Sequence, residues 1–310
     1  MITYSIGLKN RFRGITVREG MLFEGPAGWA EWSPFLDYDD ATCVPWLQAA
    51  QEAAVDGWPA PVRDAVPVNC TVPAVGPERA AEIVRTSGCR TAKVKVAEPG
   101  QSVADDLERV EAVRDAIGAG RVRIDANGAW SVDEAVQALR ELQRFDLEYV
   151  EQPCARVEDL AAVRRRTDVP VAADESIRRA EDPLLVKKLD AADIAVLKVQ
   201  PIGGVRACLD IAEQIGLPVV VSSALETSVG IAAGVALAAA LPELPYACGL
   251  ATVSMFTTEV VAEPLLPVDG FLPVRRVQPD RALLDAARAD ATRTAVWEER
   301  MSRVQMRSAG

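Results

Sequence analysis

From about residue 66 the chain repeats one pattern: a short run rich in Val, Ile and Thr, a few polar residues, then a stretch of helical periodicity. The predicted strands are VPVNCTV (66–72), TAKVKVA (91–97), RVRIDAN (121–127), LEYVEQP (147–153), VPVAADE (169–175), IAVLKVQ (194–200), PVVVSSA (218–224) and YACGLAT (246–252). Helical patterns fill most of the gaps, as in 103–117 after Ser102 and 131–145 from Ser131, each with a serine placed to cap the first turn. The strands are apolar without alternation, so both faces are expected to be buried, as in a parallel sheet. Eight such units close naturally into a (β/α)8-type barrel. A doubly wound open sheet is the competing architecture, and no G-x-G-x-x-G follows the first strand to recommend it.

The ends of the chain follow another rhythm. Residues 1–65 read as antiparallel strands (ITYSIGL, ITVREGMLFEG, AGWAEW) with Gly/Pro turns, then a helix near 40–55, which makes an α+β capping domain. The barrel is expected over 66–262. The tail, 263–310, carries Pro264, Pro267 and Pro273 and then an Arg/Ala/Glu-rich helical segment expected to complete the cap. The segment 25–40, rich in Gly, Pro, Trp and Asp, is placed to act as a lid.

Composition narrows the chemistry. Of 310 residues 49% are hydrophobic and 25% charged, enough for a sizeable core. A net charge of −11 argues against nucleic acid or an anionic membrane as partner. The six cysteines (43, 70, 89, 154, 208, 248) form no C-x-x-C pair and read as reduced, buried thiols. With no leader pattern at the start and no apolar stretch long enough for a bilayer, a cytoplasmic location is expected. There is no histidine. Catalytic triads, histidine metal ligands and the commonest general base are thereby excluded, and acid–base work falls to carboxylates, lysine, tyrosine or cysteine.

Residues at the C-terminal ends of barrel strands form the active site in this architecture. Here they are Lys93 and Lys95, Asp125 and Asn127, Glu151, Asp174 and Glu175, Lys198, then Ser222, Ser223 and Glu226. Asp125, Glu151 and Asp174 follow at intervals of 26 and 23 residues, and Lys198 comes 24 later, one strand–helix unit each time. Taken singly, D-x-N marks a turn and K-x-K a solvated face. In phase around a barrel, three carboxylates make a hard oxygen site suited to Mg²⁺, with lysines on strands either side. A substrate carboxylate held there would have its α-carbon flanked by Lys95 and Lys198. A lysine with a lowered pKa can abstract such a proton at neutral pH, and Lys93 beside Lys95 is a source of that lowering.

The motifs TAKVKV, RIDANGAW, YVEQPC, ADES and VLKVQPIGG together resemble the enolase superfamily, specifically its muconate-lactonizing subgroup. The resemblance spans nearly the whole chain. It implies a (β/α)7β TIM-type barrel under an N-terminal α+β capping domain, Mg²⁺ on Asp125, Glu151 and Asp174, and acid/base lysines at Lys95 and Lys198. The stretches FRGITVREGMLFEGPAGWAEWSPFLDYD, VVSSALETSVGI and ACGLATVSMF place the chain near members that carry out a syn-dehydration in menaquinone biosynthesis, forming an aromatic product. That implies a small carboxylate substrate, with Ser222, Ser223 and the Gly249 backbone near its distal carboxylate, and Arg123, Asn127 and Arg13 as further contacts. Racemisation of N-succinylamino acids and dipeptide epimerisation use the same pair of lysines, and a catalytically inactive barrel serving as a binding protein is the reading from another class.

Overall fold

The computed structural model describes residues 1–179 and 182–308. Three antiparallel strands open the chain: β1 (Ile2–Phe12), β2 (Ile15–Gly25) and β3 (Gly28–Trp32), in the order β1-β2-β3. The β1–β2 turn is two residues, Arg13 and Gly14, both at positive φ (49° and 78°) between the paired Phe12 and Ile15. That backbone matches the twist of the strands, and it carries Arg13 to the tip of the hairpin. Helix α1 (Asp40–Gln51) follows, capped by Asp39, whose side chain accepts from the Thr42 amide at 2.8 Å, and runs into a single π-helical turn, Glu52–Asp56.

The expected first barrel strand divides in two. β4 (Ala65–Pro67) pairs antiparallel with a late strand, 271–273, whereas β5 (Cys70–Val72) opens the parallel sheet. The chain changes partners at Val68 and Asn69. Strands and helices then alternate: α2 (Pro77–Ser87), β6 (Thr91–Lys95), α3 (Val103–Ile117), β7 (Arg121–Asp125), α4 (Val132–Leu142), β8 (Leu147–Glu151), α5 (Val157–Arg164) and β9 (Val171–Ala173). The second half adds α6 (Glu175–Arg178), α7 (Leu185–Lys188), β10 (Ile194–Leu197), α8 (Val199–Ile202), α9 (Val205–Ile215), β11 (Val219–Val221) and α10 (Ser228–Ala240). Capping boxes start α3 (Ser102 with Asp105) and α4 (Ser131 with Glu134), where the serines were expected to act.

The seven parallel strands run in the order β5 to β11 with every neighbour consecutive, the signature of a sheet curling on itself. The expected eighth strand, 246–252, is not a regular strand. Two residues do its work: the Cys248 amide donates to Pro67 O at 2.7 Å, and its carbonyl accepts from Asn69 N at 2.9 Å. On the other side the Gly249 amide donates to Val221 O at 2.8 Å, and its carbonyl accepts from Ser223 N at 3.0 Å. The barrel is thus closed by isolated parallel bridges, Val68 with Cys248 and Ser222 with Gly249. Gly249 is needed at this seam, since a Cβ there would stand 2.6 Å from Ser222 Oγ. The structure is therefore the expected (β/α)7β form, its eighth strand reduced to a seam.

Inside the barrel, Tyr149, Ala172, Ile194, Val196 and Val220 pack as a separate buried cluster beneath the strand ends. Outside it, α10 (SVGIAAGVALAAA) is buried nearly throughout, its small side chains letting it lie close to its neighbours. Among the described residues no helix is long and apolar enough to cross a membrane. All six cysteines are free and buried.

The chain ends in β12 (Phe271–Pro273), α11 (Arg281–Ala286) and α12 (Ala291–Ser308). Helix α12 packs on α1 and β1. Its Trp297 is fully buried and meets Trp32 edge to face, with centroids 5.5 Å apart. Arg300 donates to the carbonyls of Pro34, Phe35 and Tyr38 (3.2, 2.7 and 2.8 Å), tying the last helix to the segment that follows β3. Trp297→Ala is expected to lower stability by about 3–5 kcal/mol, the usual range for truncating a buried tryptophan. Urea unfolding followed by fluorescence measures it, and a loss under about 1 kcal/mol would mean that the helix contributes little to the folded state.

Candidate active site

The parallel register aligns the strand ends. Lys95 pairs with Asp125 across β6 and β7, Asp125 with Glu151 across β7 and β8, and Glu151 with Ala172 across β8 and β9. Asp174 follows β9 directly, and Lys198 follows β10. The three carboxylates are fully or almost fully buried, at 1%, 0% and 0% exposure for Asp125, Glu151 and Asp174. Burial of three acids on adjacent strands requires compensation, and lysines supply it. Lys93 Nζ lies 2.7 Å from Glu151 Oε1 and 3.1 Å from Asp125 Oδ2. Lys95 Nζ lies 2.5 Å from Asp125 Oδ2 and donates to Asn127 Oδ1 at 2.6 Å. Lys198 Nζ lies 2.6 Å from Asp174 Oδ2.

Lys93 does not face Lys95 as a bare like charge, contrary to expectation. Although burial opposes it, Glu151 and Asp125 raise the Lys93 pKa above its ordinary value and hold the ammonium charged. Burial likewise pushes Asp125 and Asp174 upward, but the cations beside them win. Lys95 and Lys93 hold Asp125 well below the usual carboxylate range, and Arg178 and Lys198 do so for Asp174. Glu151 goes the other way. Burial, with the charges of Asp125 and Asp174, pushes it up to about 7 against the pull of Lys93.

Among the described residues, no three carboxylates or thiols are gathered at ligating distance around a common point. The Lys93 ammonium bridges two of the acids, Asp125 and Glu151. The donor set nevertheless fits a hard divalent cation. Glu151 Oε2 is buried with no hydrogen-bond partner, as is Glu175 Oε2. An orphaned carboxylate oxygen in the interior is costly unless a cation takes it, and burial, followed by the charges of Asp125 and Asp174, raises the Glu151 pKa in the same sense. Oxygen ligands without histidine or thiolate suit Mg²⁺-type chemistry.

Above this row lies a cavity of about 710 Å³. Among the described residues its walls carry seven basic side chains against two acidic ones, Glu98 and Glu175, in a chain whose net charge is −11. Such a basin draws in an anion. Lys93, Lys95, Lys198, Asn127, Ser222, Ser223, Gly249 and Arg13 all line it. Ser223 Oγ lies 2.8 Å from Thr252 Oγ1, and Asn127, at a φ of 47°, reaches Glu175 Oε1 at 3.3 Å. Arg123 does not reach the cavity. It is two residues below Asp125 on the same face of β7 and fully buried, with Nε 2.5 Å from Glu148 Oε2 and Nη1 donating to Asn69 Oδ1 and Ala247 O. Its guanidinium lies 4.7 Å from the Tyr149 ring centroid, so it fills the barrel floor and is corrected from a substrate contact to a core residue.

Several lining residues escaped the sequence reading. Arg178 donates to Asp174 Oδ1 (2.8 Å), Glu175 Oε1 (2.5 Å) and Tyr38 Oη (3.3 Å). The signal for it was present, because Arg178 stands four residues after Asp174 at a helix start. Tyr38 also accepts from Arg13 at 3.1 Å, which joins the hairpin tip to the barrel over the cavity. Phe12 sits with its ring centroid 5.5 Å from Lys95 Nζ, and Arg13 lies over Phe35 at 3.8 Å. The expected lid segment thus contributes Phe35 and Tyr38 to the wall.

Comparison with known proteins places this arrangement. Residues 77–280 match the family model described as enolase C-terminal domain-like, and residues 3–54 match enolase N-terminal domain-like. The chain is 66% identical over 300 residues to the o-succinylbenzoate synthase of Thermobifida fusca (strain YX), covering 96% of this chain and 94% of that protein. It is 57% identical over 299 residues to the o-succinylbenzoate synthase of Mycolicibacterium smegmatis, covering 96% and 92%. Among solved structures, muconate lactonizing enzyme from Pseudomonas fluorescens superposes with a TM-score of 0.80 at 21% identity, over 93% of this chain and 97% of that one. The L-Ala-D/L-Glu epimerase of Bacillus subtilis gives 0.76 at 24% identity, over 89% and 95%. At those identities the structures speak for the fold alone. The sequence relatives and the family models go further: the chain belongs to the enolase superfamily and, within it, to the family of the o-succinylbenzoate synthases.

Proposed function

We propose that this chain is a Mg²⁺-dependent o-succinylbenzoate synthase, dehydrating 2-succinyl-6-hydroxy-2,4-cyclohexadiene-1-carboxylate to 2-succinylbenzoate. The observation that carries the reading is the placement of Lys95 and Lys198 at the two ends of a buried carboxylate row, under a cavity rich in positive charge. The substrate is a dianion, and the basin of lysines and arginines suits it.

Asp125, Glu151 and Asp174 would hold the cation, which supplies positive charge where the ring carboxylate gathers electron density. Everything else falls to the chain's own groups. Lys95 Nζ takes the proton from the carbon bearing the carboxylate, and that carbon–hydrogen electron pair moves into the carboxylate. Lys95 then returns a proton to the ring hydroxyl on the same face. The carbon–oxygen bond breaks, water leaves, and the ring closes its aromatic sextet. Lys198 stays cationic against Asp174 and steadies the anionic intermediate from the other side. One lysine acting as base and then acid is enough for syn elimination. Ser222, Ser223 and the Gly249 backbone line the cavity and would meet the distal carboxylate, while Asn127 Oδ1 accepts from Lys95 Nζ and orients it.

The test is an ultraviolet assay on the cyclohexadiene substrate, with Mg²⁺ and with EDTA, run beside a proton-exchange assay on an N-succinylamino acid. Fast loss of diene absorbance that EDTA stops is the expected result. Exchange of the amino acid's α-proton without dehydration would overturn the synthase reading in favour of a racemase.

Arg13→Ala is expected to raise KM about tenfold or more while leaving kcat little changed, since a charge-assisted hydrogen bond to a ligand contributes about 1.5–3 kcal/mol. Steady-state kinetics checks it, and a fall in kcat at constant KM would instead place Arg13 in the chemical step.

A further inference from the structure

The wall of the cavity after β11 is held from the antiparallel sheet, and the residue that holds it is buried away from the substrate. Arg18, on β2, is 2% exposed. Its Nε donates to Leu225 O at 2.9 Å, Nη1 to Glu19 O at 2.9 Å, and Nη2 to Ala224 O at 3.3 Å and to Ser33 O. Every one of these acceptors is a backbone carbonyl, and two belong to the turn that forms the cavity wall. The guanidinium also lies 4.4 Å from the ring centroid of Phe35, another wall residue. A buried guanidinium used wholly on main-chain oxygens fixes geometry, because its planar fork imposes both direction and spacing.

The turn needs such a hold. Leu225 sits at a φ of +65°, in the left-handed region where a branched side chain is strained, and strain of this kind persists only where the surroundings fix it. Glu226 accepts from Ala224 N at 2.7 Å and pins the turn from within. One residue further on, Glu31 of β3 accepts from Thr227 N at 3.0 Å and Gly230 N at 3.1 Å, capping α10. The antiparallel sheet therefore grips residues 224–230 at two points, and only the Arg18 contact bears on the part that faces the cavity.

We infer that Arg18 is a positioning residue for the reaction: through the Ala224 and Leu225 carbonyls it sets the Ser222–Leu225 wall, and so the pose of the substrate over Lys95. The inference rests on the synthase reading for its substrate, but not for its structural core. Misplacement by about 1 Å through a residue remote from the chemistry can lower turnover roughly 100-fold.

The experiment compares Arg18→Met and Arg18→Lys with the wild-type chain by steady-state kinetics, by thermal unfolding, and by hydrogen exchange of peptides spanning 222–230. Arg18→Met is expected to stay folded at assay temperature, to lose roughly 100-fold in kcat/KM across both kcat and KM, and to exchange its 222–230 amides faster. The Mg²⁺ activation constant should not move. Arg18→Lys, which still reaches some of the carbonyls, should recover about tenfold of the loss. A residue that served stability alone would lower activity only in proportion to the unfolded fraction. If folded Arg18→Met matches wild type within about twofold in kcat/KM, or if its 222–230 exchange is unchanged, the inference is overturned. Should Arg18→Met fail to fold, Arg18→Lys decides by the same two readouts. If the wild-type chain itself does not dehydrate the diene, the synthase reading falls, and the exchange data alone decide whether Arg18 holds the wall.

Discussion

Lys95→Ala should reduce turnover of the cyclohexadiene by roughly 10³–10⁴-fold, at the upper end of what a general base contributes, because the same amine takes one proton and gives another. The fold should survive. Lys95 is partly exposed at the cavity floor, and its removal leaves Asp125 paired with Lys93 at 3.1 Å, so no carboxylate is stranded. Cation binding should survive as well, since Asp125, Glu151 and Asp174 are untouched and one competing ammonium has gone. The measurement is kcat by diene absorbance, with circular dichroism and Mg²⁺ calorimetry on the same protein. A variant that binds Mg²⁺ normally and turns over near the wild-type rate would remove Lys95 from the mechanism. One that loses Mg²⁺ binding and turnover together would make Lys95 a support for the cation site.

The pattern of the chain made the barrel legible because buried parallel strands are apolar on both faces and recur at a fixed interval. The same interval brings Lys95, Asp125, Glu151, Asp174 and Lys198 to one level. Depth was not legible. Arg123 and Asp125 share a face of β7, and alternation along a strand reports the face but not the height. Two residues at about 3.3 Å each put Arg123 some 6.6 Å further down, in the floor. The eighth strand is shorter than its pattern suggests for a related reason. YACGLAT has apolar content enough for a strand, but its pairing is limited to Cys248 and Gly249, and a 3-10 turn begins at Ala251. Phe35 and Tyr38 were legible only as part of the 25–40 segment, and Arg18 not at all. Their roles depend on partners such as Arg178 and Leu225, 140 and 207 positions away, and only the closed fold brings these together.

Asp174→Asn tests the proposed cation site more sharply than removal of any lysine, because it removes a carboxylate of that site itself, one that two cations also claim. It is fully buried and accepts from Arg178 Nε at 2.8 Å and from Lys198 Nζ at 2.6 Å. An amide keeps the shape and one acceptor oxygen but removes the charge. Two effects are then expected. Arg178 keeps its pair with Glu175 Oε1 at 2.5 Å, but Lys198, 11% exposed at its side chain, faces a neutral group, which destabilises by about 3–5 kcal/mol if it finds no other partner. The loss of an anionic ligand should also raise the Mg²⁺ concentration for half-maximal activity by more than about 100-fold, beyond the 10–100-fold usual for an outer-shell partner. The two effects part company on titration. Mg²⁺ binds the folded state, so it should raise the melting temperature of the wild-type protein and raise that of the variant less at the same concentration. If the defect lies in ligation, millimolar Mg²⁺ recovers part of the rate; if it lies in the stranded Lys198, added Mg²⁺ changes nothing and lower temperature recovers it. A variant with the wild-type Mg²⁺ requirement in both rate and melting would take Asp174 out of the ligand set, leaving Glu151, with its orphaned Oε2, and Asp125 to hold the cation with some other donor.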